Sequence, residues 1–371
     1  MSRKTICFFC GDVTRCGGTE RASAAAANLL HRQGLHRVIF LSLVEQDSEP
    51  FFPLDKGIAR YRLGEARIDP GPGYLKILPK LRKFLKNHDV DVIIDVDIVL
   101  DCLSIPASAG LNTRVISWEH LNYQFEESVL YRRLILNYLV GHSDYVITLT
   151  EKDREQYVRH LKRQKRIQAI GNPMEEAALM PENKKEKWII TVGRLAPEKG
   201  LDHLLEVARR VLKKHSDWQW LLLGEGEMRT ALEDGIRGGQ LEGRLILKGR
   251  VKDVGGCLRR SQIYVMTSRY EGLGICLLEA KAHGLPCVAF DVPTGPAELI
   301  ADGTNGYLIP AFDCGGMAEK IERLIEDAEL RERFSLNARL GMEKYRPEFI
   351  LEQWDRVIEQ VCPPAREIPS V

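Results

Sequence analysis

The sequence predicts an α/β protein made of two doubly wound, Rossmann-like domains facing a central cleft. Three observations carry this. At 371 residues the chain exceeds what one hydrophobic core usually organises. Short β-branched runs alternate with amphipathic helical patterns, which implies parallel sheets covered on both faces. The alternation breaks once, at Asn172-Pro173, and then restarts.

Before the break, Thr5–Cys10, Val38–Leu43, Val90–Asp95, Val115–Trp118 and Tyr145–Leu149 read as strands. Glu20–Gln33, Tyr74–Asn87, Phe125–Gly141 and Glu151–Arg163 read as helices, with Thr19 as the expected N-cap of the first. Residues 1–173 thus form one domain. Met174 to Lys187 is polar, proline-bearing and aperiodic, and reads as a linker. A second domain, 188–346, opens with Trp188–Val192. Trp218–Leu223, Arg244–Leu247, Ile263–Met266, Cys287–Phe290 and Gly306–Ile309 continue its strands, with helices starting at Asp202, Met228, Ile275, Pro296, Cys314 and Leu330. Residues 347–371 begin with a helical pattern, Pro347–Val361, expected to pack back on the first domain. The tail Pro363–Val371 is expected to be disordered.

Composition narrows the function. Hydrophobic residues make up 44% and charged residues 28%, as in ordinary globular proteins, and the net charge of +1 argues against a nucleic-acid partner. No apolar run reaches membrane-spanning length and no signal peptide is visible, so a cytoplasmic location is expected. The nine cysteines show no zinc-like spacing. Cys7 and Cys10 share a strand but point to opposite faces, so buried thiols are expected rather than a metal or redox centre.

Several segments carry chemistry. Ser268-Arg-Tyr-Glu271-Gly-Leu-Gly-Ile-Cys-Leu-Leu-Glu279 runs across a glycine-bearing turn into an apolar helix. A helix N-terminus offers N–H groups and a positive dipole end to a phosphate. Glu271, before the helix, suits sugar hydroxyls, and Glu279, two turns in, suits a ribose. Gly193-Arg194-Leu-Ala-Pro-Glu-Lys199-Gly200 lies between a strand and a helix, which puts two cations where a diphosphate could be neutralised. Taken singly, either is an ordinary solvated loop cation. Gly17-Gly18, between the first strand and first helix, allows close backbone approach, but the pattern is not the G-x-G-x-x-G fingerprint of nicotinamide sites. His120 ends another strand and could bond a sugar hydroxyl, although a lone histidine is more often structural. Thr294-Gly-Pro-Ala-Glu298 and Asp302–Pro310 read as turn chemistry shaping a wall, with Glu298 structural. The helix Tyr74–Asn87 combines an apolar stripe with Lys76, Lys80, Arg82, Lys83 and Lys86. The stripe suits docking on its own sheet, and the cations suit an anionic bilayer or an acidic ligand.

In order and spacing, these segments resemble the retaining, GT-B-fold glycosyltransferases of family 4. The likeness covers nearly the whole chain: Gly17 to Arg21, Glu119-His120, Gly193-Arg194 with Lys199, Gly249-Arg250-Val251, Glu271 to Glu279, and Gly303 to Pro310. The chain is also similar to the branch that extends polyprenyl-diphosphate-linked oligosaccharides. The resemblance implies a nucleotide sugar as co-substrate, UDP-linked and carrying a hexose or N-acetylhexosamine, with no cofactor and no catalytic metal. It implies a lipid-linked glycan acceptor and peripheral attachment to the inner face of the membrane, with Lys76, Lys80, Arg82, Lys83 and Lys86 meeting either the acceptor's diphosphate or the membrane. It assigns Arg194 and Lys199 to the diphosphate, Glu271 with Gly272, Leu273, Gly274 and Ile275 to the sugar, and Glu279 to the ribose. Val251 falls to the base, Gly17 and Gly18 to the phosphate, and His120 to the reacting sugar. Arg194, Lys199, Glu271 and His120 form the expected catalytic set. Leu273 stands where the family often has Phe, and Pro293-Thr294-Gly295 replaces a common Gly-Gly, so donor identity transfers least well. A sugar-nucleotide 2-epimerase and a non-catalytic nucleotide-sugar-binding scaffold subunit are the alternatives.

Overall fold

The computed structural model describes residues 3–65, 72–161, 166–174 and 185–363. Most of the expected linker and the expected tail lie outside the described residues, as does the end of the helix expected to reach Arg163. The chain divides into two compact units. The first holds Met1–Pro173 together with Pro347–Val371, and the second holds Met174–Arg346.

The first unit is a seven-stranded sheet in the order β3-β2-β1-β4-β5-β6-β7, parallel throughout. Its strands are β1 (Thr5–Cys10), β2 (Arg37–Ser42), β3 (Ala59–Arg62), β4 (Val92–Val96), β5 (Arg114–Trp118), β6 (Tyr145–Thr148) and β7 (Ile167–Ala169). β1 is buried at every residue because it is central and covered on both faces, which explains its unbroken apolar run. The helices are α1 (Gly18–Gln33), α2 (Pro72–Asn87), α3 (Asp101–Ser108), α4 (Tyr123–Ser128), α5 (Leu130–Tyr138) and α6 (Glu151–His160). The single helix expected over Phe125–Gly141 is in fact α4 and α5. Val129 is extended (φ −104°, ψ 117°) and breaks the run. Asn122 caps α4 by accepting from the Phe125 N–H. Thr19 is not an N-cap: α1 starts two residues earlier than expected, at Gly18, with Gly17 in extended conformation as the N-cap and no side-chain cap.

The second unit repeats the design with six parallel strands in the order β10-β9-β8-β11-β12-β13. They are β8 (Trp188–Val192), β9 (Gln219–Leu223), β10 (Leu245–Gly249), β11 (Ile263–Met266), β12 (Cys287–Asp291) and β13 (Gly306–Pro310). Its helices are α7 (Leu201–Lys214), α8 (Arg229–Gly238), α9 (Val254–Arg260), α10 (Ile275–Ala282), α11 (Pro296–Leu299), α12 (Cys314–Glu326) and α13 (Ala328–Asn337). Glu186 is already tied to this body: its N–H donates to the Arg260 carbonyl, and its own carbonyl accepts from Gln262. In both sheets strand order reverses beside the first strand, and ligands of such sheets bind outside the carboxyl ends at that point.

The last helix, α14 (Pro347–Val361), belongs to the first unit. Ile350, Trp354, Val357, Ile358 and Val361 form a stripe of helical period and are all buried. Trp354 packs edge-on to Trp118 at 4.9 Å and lies 6.3 Å from the ring of Phe8 on β1. Gln33 of α1 donates to Asp355 at 2.5 Å. Among the described residues, no helix is long and apolar enough to cross a membrane.

Candidate functional site

In the second unit, the reversal of strand order brings the loop after β8 beside the loop after β11. Backbone interactions lock the two together. The Arg269 N–H donates to the Glu198 carbonyl (2.8 Å), the Arg269 guanidinium reaches the Pro197 carbonyl (2.7 Å), and the Thr267 hydroxyl reaches the Lys199 carbonyl (3.0 Å). Gly200 takes φ +59°, and a Cβ there would collide with the Thr267 carbonyl, so both the turn and the close approach require glycine.

This framing aims Lys199 at Glu271. Lys199 Nζ lies 2.7 Å from Glu271 Oε1, and the Ser268 hydroxyl donates to the same oxygen at 2.7 Å. Burial works against the Lys199 charge, but the Glu271 carboxylate beside it wins and holds the ammonium above its ordinary value. Arg194 pairs with Glu198; burial raises the Glu198 carboxyl, but the Arg194 hydrogen bond and charge, a backbone hydrogen bond and the Lys199 charge together outweigh it, leaving a net lowering. The pairs differ in exposure: 53% for the Arg194 side chain, against 27% for Lys199 and 11% for Glu271. Glu198 is shielded much like Glu271, so the difference lies in the cation: a half-exposed guanidinium exchanges partners more readily than the shielded Lys199 ammonium.

Glu271 is braced from behind as well. The Thr294 hydroxyl donates to its carbonyl, and Gly295, at φ +94°, leaves no room for a Cβ, which would sit 2.8 Å from the Leu273 carbonyl. The segment then turns at Gly274 (φ +84°) into α10, whose N-terminus has no side-chain cap. Gly272 and Leu273 are buried, and Glu279 is buried in the second turn of α10. Gly193 and Val251 follow β8 and β10, so they emerge on the same carboxyl edge of the sheet. Lys199, Glu271, Gly272, Leu273, Gly274 and Ile275 therefore come together; Arg194 borders them, and Val251 shares only their edge.

In the first unit, His120 lies two residues past the end of β5 and is buried against Trp118, ring centroids 4.3 Å apart. Among the described residues its Nε2 is shut from solvent with no partner. Burial pushes its pKa down to about 4, so the imidazole is neutral. Around it lies a buried acidic network. Tyr157 donates to Glu119, Arg132 bridges Asp97 and Glu126, and Ser117 donates to Asp101 at 2.6 Å. Burial pushes Glu119 and Asp101 up to about 7 and Asp153 up to about 8. Asp97 stands directly after β4 at φ +96°, a costly conformation for a residue other than glycine.

The histidine yields a pH prediction. An unfolded imidazole binds a proton below roughly pH 6.5, whereas the folded one does so only near 4. His120 therefore costs stability as pH falls through that window, while the raised carboxyls act in the opposite direction. Relative to His120→Asn, the wild type should lose about 2 kcal/mol of unfolding free energy between about pH 7.5 and about pH 5. Denaturation midpoints at both pH values check this, and a constant difference between the two proteins would refute it.

Comparison with known proteins fits this geometry. The Glycosyltransferase Family 4 description matches residues 16–177, and Glycosyl transferases group 1 matches residues 175–341. The pneumococcal O-GlcNAc transferase GtfA, solved with UDP and GlcNAc, superposes with a TM-score of 0.82 at 17% identity, over 98% of this chain and 100% of its own. An uncharacterised glycosyltransferase of Haemophilus influenzae is 33% identical over 359 residues, covering 96% of this chain and 100% of the relative. The chain belongs to the family 4 glycosyltransferases and has the GT-B fold. AmsD, an amylovoran biosynthesis glycosyltransferase of Erwinia amylovora, is 27% identical to this glycosyltransferase over 93% of the chain and 97% of its own length. A Campylobacter jejuni α-1,4-N-acetyl-D-galactosaminyltransferase, named for an undecaprenyl-diphosphate-linked acceptor, is 25% identical over 93% and 96%.

Three groups in the glycosyltransferase escape sequence reading. Glu198 is four residues from Arg194, an ion-pair spacing visible in the sequence. Ser268 is three residues from Glu271 in the same loop, whereas Thr294 carries no such signal, since it acts on Glu271 from another loop. Gly17 needs space rather than an unusual dihedral: its backbone is extended, and a Cβ there would meet the Glu20 carboxylate. Arg82 of α2 donates to the Ala107 (2.9 Å) and Ala109 (2.7 Å) carbonyls and closes the end of α3.

Proposed function

We propose that this glycosyltransferase moves a hexose or N-acetylhexosamine from a UDP-linked sugar to a polyprenyl-diphosphate-linked glycan. The reaction would keep the anomeric configuration, use no bound metal, and serve cell-surface polysaccharide or glycan assembly. The observation that carries the reading is the Lys199–Glu271 pair beside the uncapped N-terminus of α10, at the carboxyl ends of β8 and β11. UDP in the pneumococcal neighbour and the lipid-linked acceptor of the Campylobacter relative support the choice of donor and acceptor.

In this reading the acceptor hydroxyl attacks the anomeric carbon from the face the diphosphate is leaving. The C1–O bond to the diphosphate breaks, the new glycosidic bond forms, and the hydroxyl proton passes to the departing phosphate oxygen. Lys199, Arg194 and the α10 N-terminus stabilise the charge growing on that leaving group, which is the service a divalent cation would otherwise give. Glu271 both orients Lys199 and accepts from sugar hydroxyls, Glu279 holds the ribose, and Val251 borders the base. Gly17 and Gly18 offer backbone to phosphate. His120, neutral, hydrogen-bonds a sugar hydroxyl.

A screen of UDP-sugars against lipid-linked acceptors tests this. UDP release should match formation of a lipid product one sugar heavier, with the donor's anomeric configuration and no sensitivity to EDTA. Donor binding without release would favour a scaffold role, and an epimerised free sugar would favour the epimerase. An inverted linkage would refute retention.

A further inference from the structure

The basic helix α2 does not by itself present an apolar face. Ile77, Leu81 and Leu85 are buried in the core of the first unit, which leaves the cations of its outer side without exposed apolar neighbours beyond the first turn. That surface comes from another helix. On α5, Leu130, Tyr131, Leu134 and Tyr138 are all exposed, as is Leu75 in the first turn of α2, at 49% to 72%. At 100° per residue the four α5 side chains fall within an arc of about 100°. They form one stripe, directed away from the buried Leu136. A single exposed leucine is unremarkable, but an aligned set on one short helix marks an interaction surface.

The charge around the stripe indicates its partner. Neither α2 nor α5 contains an acidic residue. Lys76 and Lys83 on α2 and Arg133 on α5 are exposed; of the two acids in the preceding helix, Glu126 is turned inward onto Arg132 and Glu127 is exposed, so cations outnumber acids around the stripe. The two helices come close at the stripe's start, where Tyr74 of α2 lies within electrostatic reach of Arg132 on α5. Leucines and tyrosines flanked by cations suit the boundary of an anionic bilayer, where leucine enters the acyl region and tyrosine stays at headgroup level.

Position adds a reason. Arg132, in the first turn of α5, is fixed to Asp97 at 2.9 Å, directly after β4. The stripe therefore starts at the carboxyl edge of the sheet, the edge on which such sheets bind ligands. We propose that the exposed face of α5, with the first turn of α2, docks the protein on an anionic lipid bilayer. In purpose this rests on the lipid-linked acceptor reading; the docking itself is testable without any acceptor.

Flotation of the full chain with vesicles of phosphatidylcholine, with or without phosphatidylglycerol, is the test. The wild type should float with the anionic vesicles and remain behind with neutral ones. The triple variant Leu130→Ser, Leu134→Ser, Tyr138→Ser should lose binding at least about tenfold with an unchanged melting temperature, because all three side chains are already in water. The same variant should keep turnover on a water-soluble, short-chain glycosyl diphosphate. Lys76→Glu with Arg133→Glu should abolish the preference for phosphatidylglycerol. A wild type that does not float, or a triple variant that floats like it, overturns the proposal. So does a triple variant whose only change is loss of self-association, which would make a second copy the occupant. If flotation behaves as expected but no lipid-linked acceptor is used, docking stands and the acceptor reading fails.

Discussion

Lys199→Ala should lower kcat by roughly 10²–10³ while leaving the fold intact. The ammonium is held 2.7 Å from Glu271, and its backbone is clamped by Thr267, so it is positioned before any ligand arrives. A group fixed in advance needs no reorganisation when charge develops on the leaving diphosphate. Its loss should therefore appear mainly in kcat rather than KM. Lys199→Arg should recover part of the rate, because the charge returns but a planar fork replaces a point donor. Arg194→Ala should cost less, since the half-exposed Arg194 guanidinium is not fixed in the same way. Steady-state rates of UDP release with a lipid acceptor decide this. Turnover near the wild-type value in Lys199→Ala would remove the lysine from the reaction.

Trp354→Ala should destabilise the first unit by about 3–5 kcal/mol, the usual cost of deleting a fully buried large aromatic. The indole is completely buried between Trp118 and Phe8, and its Nε1 has no partner among the described residues, so what is lost is packing rather than a hydrogen bond. Trp354→Phe should cost distinctly less. Because the chain has two units, one unfolding midpoint is not a safe readout. Hydrogen exchange read by unit is better: amides of β1 and β5 should lose protection, while those of β8 and β11 keep theirs. Unchanged protection in β1 would show that α14 is not part of that core.

Much of the fold is written locally. Buried central strands such as Thr5–Cys10 are unbroken apolar runs, and helices with one apolar face repeat at the helical period, so both are legible. The elements missed are short edge strands and short helices interrupted by helix breakers. β3 is an edge strand of four residues, none fully buried, and β7 has only three residues. α3 contains Pro106, and α9 carries two glycines in its first turn. The break at Val129 was invisible for a different reason: α4 and α5 separate so that Arg132 can reach Asp97 and Glu126, one of which is 35 residues away.

The candidate site divides along the same line. Arg194, Lys199, Glu271 and Glu279 could be named from sequence because strand–loop–helix order alone puts them at the carboxyl ends of strands. That order is local information, carried by pattern and glycines. Which groups meet was decided by the tertiary structure. Lys199 and Glu271 are 72 residues apart, and they pair because strand order reverses between β8 and β11. The same holds for the burial of His120, the capture of Arg82 by α3, the exposed stripe of α5 and the return of α14 to the first unit. A sequence pattern states which face of an element must be covered; the partner that covers it, or its absence, is settled only when the sheets are assembled.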